Sequence, residues 1–206
     1  MKASISMSHQ SRLDLILGII THIGAKSYLE IGCDWDVVFR EIPLDHKVGV
    51  DPQHGGTLRM TSDEFFETNT DTFDVIFIDG LHICQQVLKD IFNSLAVLNP
   101  GGVIVMHDCL PVTEQQQEEE WKAGPWLGSV WKAFFSYNDL HKYDMAVVTI
   151  DYGCGLIMNR PATQPYLLDN PEYWPIATYQ DFLNNYSKLR LLPFDTNIYA
   201  WVAGTL

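Results

Sequence analysis

Basic residues are scarce in this sequence: 13 Lys and Arg stand against 26 Asp and Glu, a formal net charge of −13. Neutralising nucleic-acid phosphates takes clustered Lys and Arg, so no nucleic-acid partner is expected. Long apolar runs are missing as well. The opening MKASISMSHQSRLDLILGIITHIGAK is interrupted by Asp14 and His22 and has no small-residue cleavage site. No stretch approaches the ~18 apolar residues that a membrane crossing needs, so the expectation is a cytoplasmic chain with no membrane partner. The cysteines, at 33, 84, 109 and 154, form no CxxC pair, which leaves no signature of a structural zinc site or a disulfide framework.

What is present suffices for one buried core: 206 residues, 47% hydrophobic and 12% aromatic, read as a single domain over 1–206. Leu13, Leu15, Ile16, Ile19, Ile20 and Ile23 recur at helical spacing, with Ser11 and Asp14 as the N-terminal cap and Gly24 as the stop. SYLEIGCD (27–34) and HKVGVDPQ (46–53) are compact strands, with WDVVFREI (35–42) able to hold a helix between them. TLRM (57–60) is a weaker strand candidate, and Thr61 with Glu64 caps a helix through DEFFE.

FDVIFIDG (73–80) is continuously apolar, as a strand covered on both faces should be. The helical HICQQVLKDIFNSLAVL and the strand PGGVIVMHD follow it. Strands alternating with helices give the fold class: α/β, a Rossmann-like, doubly wound, mostly parallel sheet with helices on both faces. Residues 111–128 lose all periodicity and are expected to form a mobile loop over the substrate. SVWKAFFSY reads as a helix, MAVVTIDYGCGLIMN as an antiparallel C-terminal hairpin turning at Asp151, Tyr152 and Gly153, and TYQDFLNNYSKLRLL as a last helix.

In such a sheet, ligands bind at the carboxyl ends of the strands, where Gly32, Asp51, Asp63, Asp79, His107 and Asp108 all fall. Gly32 lets a backbone approach closely, and Asp51, 19 positions later, stands where a carboxylate accepts bonds from a ribose diol. A dinucleotide would want GxGxxG, but here Asp34 and Asp36 set negative charge where phosphate would sit. S-adenosylmethionine (SAM), which has a ribose and a cationic amino-acid end but no phosphate, fits better. Glu30 and Asp34 would face that cationic end, Asp51 the ribose, and Ser62 with Asp63 the adenine edge. His82 and His107, beside Asp79 and Asp108, supply imidazoles suited to removing a hydroxyl proton near neutral pH.

YLEIGCD, VGVDP, TSDEFF, FDVIFIDGLHICQQVLKDI and LNPGGVIVMHDCLP, in this order, resemble class I SAM-dependent methyltransferases, specifically the small-molecule branch called methyltransferase family 24. The resemblance covers about residues 26–111. It implies methyl transfer to a small-molecule hydroxyl, such as that of a sugar or secondary metabolite, with His82 as the base. It also implies, by likeness to O-methyltransferases that use a divalent ion, Mg²⁺ held by Asp79 and Asp108. A homodimer is open to the chain through an exposed first helix and a Trp-rich tail. Two other readings stand beside this one: a nicotinamide-dependent oxidoreductase, disfavoured by the absent phosphate glycines, and a SAM-binding interaction module without catalysis, disfavoured by the intact IDGLH and HD pairs.

Overall fold

The computed structural model describes residues 11–204. Helix α1 (Arg12–Ile23) begins at the expected capping box of Ser11 and Asp14 and ends at Gly24, whose φ of 65° closes it in the left-handed region. Then follow β1 (Ser27–Ile31), β2 (His46–Val50), α2 (Ser62–Thr68), β3 (Phe73–Ile78), α3 (Cys84–Ala96), β4 (Leu98–Met106) and α4 (Val130–Leu140). The chain continues through β5 (Asp144–Val148), β6 (Cys154–Met158), α5 (Tyr179–Asn185), β7 (Leu191–Leu192) and α6 (Asn197–Val202).

The strands make one sheet in the order β2-β1-β3-β4-β6-β5-β7, parallel except for β6, which runs antiparallel to both neighbours. The expected hairpin is present, and its second strand is the one inserted next to β4. Alternate residues of each strand feed separate cores. Val75, Phe77, Val103 and Val105 pack beneath α1 and α6. Ile76, Ile78, Ile104 and Met106 pack with α2 to α5 on the opposite face, where Trp131, Phe135, Trp174 and Phe182 meet edge to face or tilted. The doubly wound α/β class is therefore realised. Among the described residues, no helix is long and apolar enough to cross a membrane.

Three expected elements differ. Residues 35–42 form turns and one short 3₁₀ segment, Phe39–Glu41, because Asp34 and Asp36 adopt φ of 45° and 61° and so stop a right-handed helix from propagating. TLRM contributes only a single bridge, Leu58 to Val50. The Gly49 carbonyl accepts from both Thr57 and Leu58, which curls the chain over the edge of β2. The helix expected over TYQDFLNNYSKLRLL is α5, which stops at Asn185, because Val147 and Thr149 donate to the carbonyls of Arg190 and Leu192, so the sheet edge captures those residues as β7.

Candidate functional site

Chain order reverses between β1 and β3, and at the carboxyl ends of these strands lies a cavity of about 630 Å³. Gly32, Asp34, Asp51, Ser62, Asp63 and Asp79 line it, together with Gln86 and Trp126. Of the expected cofactor residues only Glu30 is absent from its wall. That side chain is 1% exposed and accepts a bond from the Tyr28 hydroxyl, and burial pushes its carboxyl up to about 8.

Gly32 has φ of 86°, and a Cβ there would lie 2.2 Å from the Asp79 carbonyl oxygen. The backbone that approaches this glycine most closely is thus the chain's own Asp79–Gly80, which brings the ends of β1 and β3 together. Asp51 takes four backbone N–H groups: Cys33 (3.1 Å) and Asp34 (3.0 Å) on Oδ2, Gln53 (2.7 Å) and His54 (2.8 Å) on Oδ1. Burial works to raise its pKa, but these bonds outweigh it and hold the group below the usual carboxylate range. Asp51 therefore shapes both turns of the cavity rim. Asp34 is largely exposed, with Oδ1 3.9 Å from His54 Nδ1, and Trp35 stacks on His54 at 4.5 Å. Asp36 accepts the Gly56 N–H at 2.7 Å, binding the same rim.

Behind Asp79, the member that lines the cavity, stands an acid–imidazole cluster. His82 Nε2 lies 3.4 Å from Asp79 Oδ1, and His82 Nδ1 lies 3.5 Å from Asp108 Oδ2 and 3.2 Å from the Trp126 carbonyl. His107 Nδ1 sits 3.3 Å from Asp79 Oδ1 and 3.2 Å from Asp108 Oδ1, while its Nε2 faces Asp151 Oδ1 at 3.5 Å. Burial disfavours the charged form of both imidazoles, but the carboxylates prevail. His107 is held far above the ordinary histidine range, chiefly by Asp79, and His82 is raised as well. Burial likewise opposes ionisation of Asp79, and His107 and His82 reverse it, holding the carboxyl well below its usual value. Asp79, His82 and Asp108 each offer a donor atom, all within 4.8 Å of one another, so the residues fit a divalent cation.

Three participants, Arg12, Asp151 and Gln86, escaped the sequence. Arg12 reaches Asp79 Oδ2 from Nε at 3.5 Å and donates from Nη1 to Asp151 Oδ2 at 2.9 Å. Asp151 had only a turn role, yet β5 runs parallel to β4, so its far end must emerge at the carboxyl edge; that topological signal would have found it. Gln86 projects from α3, and Trp126 covers His82 with ring centroids 5.0 Å apart. The 111–128 segment is tied to the site: Ser129 donates its N–H to the His82 carbonyl at 2.9 Å and its hydroxyl to Glu119 at 2.6 Å. Trp121 stays exposed, and Trp131 is buried in the core.

The family described as a methyltransferase domain matches residues 43–109, which span β2 through β4 and include Asp51, Asp63, Asp79, His82, His107 and Asp108. Among solved structures, the chain is similar to the O-methyltransferase from Bacillus cereus in complex with S-adenosylhomocysteine (SAH), at a TM-score of 0.53 and 14% identity over 75% of this chain and 83% of that one. The Podospora anserina methyltransferase with bound SAH gives 0.51 and 16% over 75% and 80%. An O-methyltransferase of tomaymycin synthesis from Streptomyces achromogenes, in complex with SAM, gives 0.50 and 15% over 77% and 83%. A search of curated proteins found no match. At these identities the likeness is one of architecture, and the chain has the Rossmann-like fold of the class I methyltransferases, with its central segment matching a methyltransferase domain.

Proposed function

We propose that this chain transfers a methyl group from SAM to a hydroxyl of a small molecule. The observation that carries the reading is that Asp79 belongs both to the wall of a cavity with an acidic, phosphate-averse rim at Gly32, Asp34 and Asp51 and to the cluster in which His82 is set against Asp79 and Asp108, with Trp126 of the same wall covering that imidazole. SAM, when bound, supplies a methyl group activated on a sulfonium. The chain's contribution is alignment of the acceptor oxygen and disposal of its proton.

His82 is the proton acceptor. In its neutral form Nδ1–H donates to the Trp126 carbonyl, which leaves the lone pair on Nε2; once protonated, Nε2–H faces Asp79 Oδ1. His107, kept charged among Asp79, Asp108 and Asp151, holds the carboxylates in place and does not exchange a proton. Asp79 and Asp108 are the residues that would hold Mg²⁺, whose contribution when bound is to lower the pKa of the hydroxyl. Asp34 serves the cationic end, Asp51 through its four backbone N–H bonds shapes the rim that meets the ribose, Ser62 and Asp63 line the adenine end, and buried Glu30 supports β1 from behind.

The test is calorimetric titration with SAM and SAH, with and without Mg²⁺. Binding of neither nucleoside sinks the reading; binding unchanged by Mg²⁺ removes the metal and leaves the rest. His82→Ala should retain SAM affinity and lose methyl transfer, and equal loss of both refutes its role as base.

A further inference from the structure

At the end of the cavity assigned to adenine, both oxygens of Asp63 are engaged by other side chains. Its Oδ2 accepts from Lys89 Nζ at 2.8 Å and its Oδ1 from Gln86 Nε2 at 2.9 Å. A carboxylate paired with a lysine can only accept, so the Gln86 amide must turn its NH₂ toward it. The same nitrogen lies 3.1 Å from Asp90 Oδ1 and 3.2 Å from Ser62 Oγ. Flipping the amide would set its carbonyl oxygen against two carboxyl groups. Asp90 is 1% exposed, so the clamp on Gln86 is anchored from within the core of α3. With both amide hydrogens engaged, Gln86 Oε1 is left as an oriented acceptor, and among the described residues it receives no hydrogen bond. Gln86 is also part of the cavity wall.

We infer that Gln86 Oε1 reads the exocyclic amino group of the cofactor's adenine, and that Asp63, Asp90 and Ser62 are positioning residues that fix the direction of this amide. The inference rests on the SAM reading and assigns the purine specificity of that site. An adenine amine donates to Oε1. The 6-oxo group of hypoxanthine would oppose it with a second acceptor, and an acceptor facing an acceptor is penalised beyond the loss of one bond.

The experiment compares calorimetric Kd values for SAH and S-inosylhomocysteine. Wild-type protein should prefer SAH by at least about tenfold. Gln86→Met, which keeps the length of the side chain but presents no amide, should bring the two affinities within about twofold, mainly by weakening SAH. Gln86→Leu is measured alongside, and thermal melting identifies the variants that remain folded. A preference that persists in a folded variant, or that is absent from the wild type while both compounds bind, overturns the role of Gln86 alone. Binding of neither compound by the wild type removes the SAM reading and this inference together.

Discussion

Arg12 and Asp151, 139 positions apart, are joined by a 2.9 Å bond from Nη1 to Oδ2, and the same oxygen accepts the Arg12 backbone N–H at 3.2 Å. The first turn of α1 is thereby pinned to the β5–β6 turn, beside His107. Because only three residues, 24–26, separate α1 from β1, the helix runs back along the sheet and its start reaches the carboxyl edge.

That pairing is measurable. Arg12→Ala should destabilise the fold by about 2 kcal/mol, since it leaves Asp79 and Asp151 short of a counter-charge. In urea unfolding, a double-mutant cycle with Asp151→Asn should show coupling of at least about 0.5 kcal/mol. Additive effects would mean that the two residues act separately.

Gly32→Ala should cost at least about 2 kcal/mol, because a Cβ would both occupy a strained φ of 86° and collide with the Asp79 carbonyl. Thermal denaturation tests the stability, and SAH titration should show weakened binding. An alanine variant with wild-type melting would contradict the close approach of β1 and β3.

Glu30 gives the stability a pH slope. Its folded-state pKa, raised to about 8 by burial, exceeds the unfolded value near 4.5, so the folded state keeps a proton that the unfolded state has released. Its contribution is fully present below the unfolded pKa and is lost as pH rises through about 8. Glu30→Gln should therefore gain on the wild type by more than about 1 kcal/mol between pH 5 and pH 8, one pKa unit being worth about 1.4 kcal/mol. Urea midpoints at several pH values supply the comparison, and a constant difference would refute it.

A Cβ on Gly128 would lie 2.0 Å from the His82 carbonyl oxygen. Gly128→Ala should push Trp126 and His82 apart and loosen the imidazole from Asp79 and Asp108. In an NMR titration, wild-type His82 should titrate above 6.5, and the variant's midpoint should fall toward that value. An unshifted midpoint would show that the 111–128 segment does not govern the imidazole.

The legible parts of this protein were those decided by neighbours in sequence. The capping boxes at Ser11 and Thr61 rest on side chains that bond three residues away, so spacing alone revealed them. Runs such as FDVIFIDG had to be buried on both faces, and the strand ends then placed Gly32, Asp51, Asp79, His82, His107 and Asp108 on one edge. The failures at 57–60 and 186–192 share a cause, backbone groups claimed by Gly49 and β5, whereas at 35–42 the positive φ of Asp34 and Asp36, with the Asp36 carboxylate accepting the Gly56 N–H, stops the helix; local propensity could not anticipate any of these.

The same division holds at the site. The order of strands and helices, the acidic character of the cofactor edge and the identity of its carboxylates and imidazoles were determined by the sequence itself, because periodicity and strand-end position are local properties. Only the tertiary structure decided that Arg12 and Asp151 complete the cluster, that Asp51 is saturated by four backbone N–H groups, that Glu30 faces Tyr28 and not the cavity, and that Gln86 is clamped with one oxygen free. Each of these depends on which hydrogen-bonding groups from remote segments arrive at the same point, and the packing of α1, α3 and the β5–β6 turn against one sheet edge sets that.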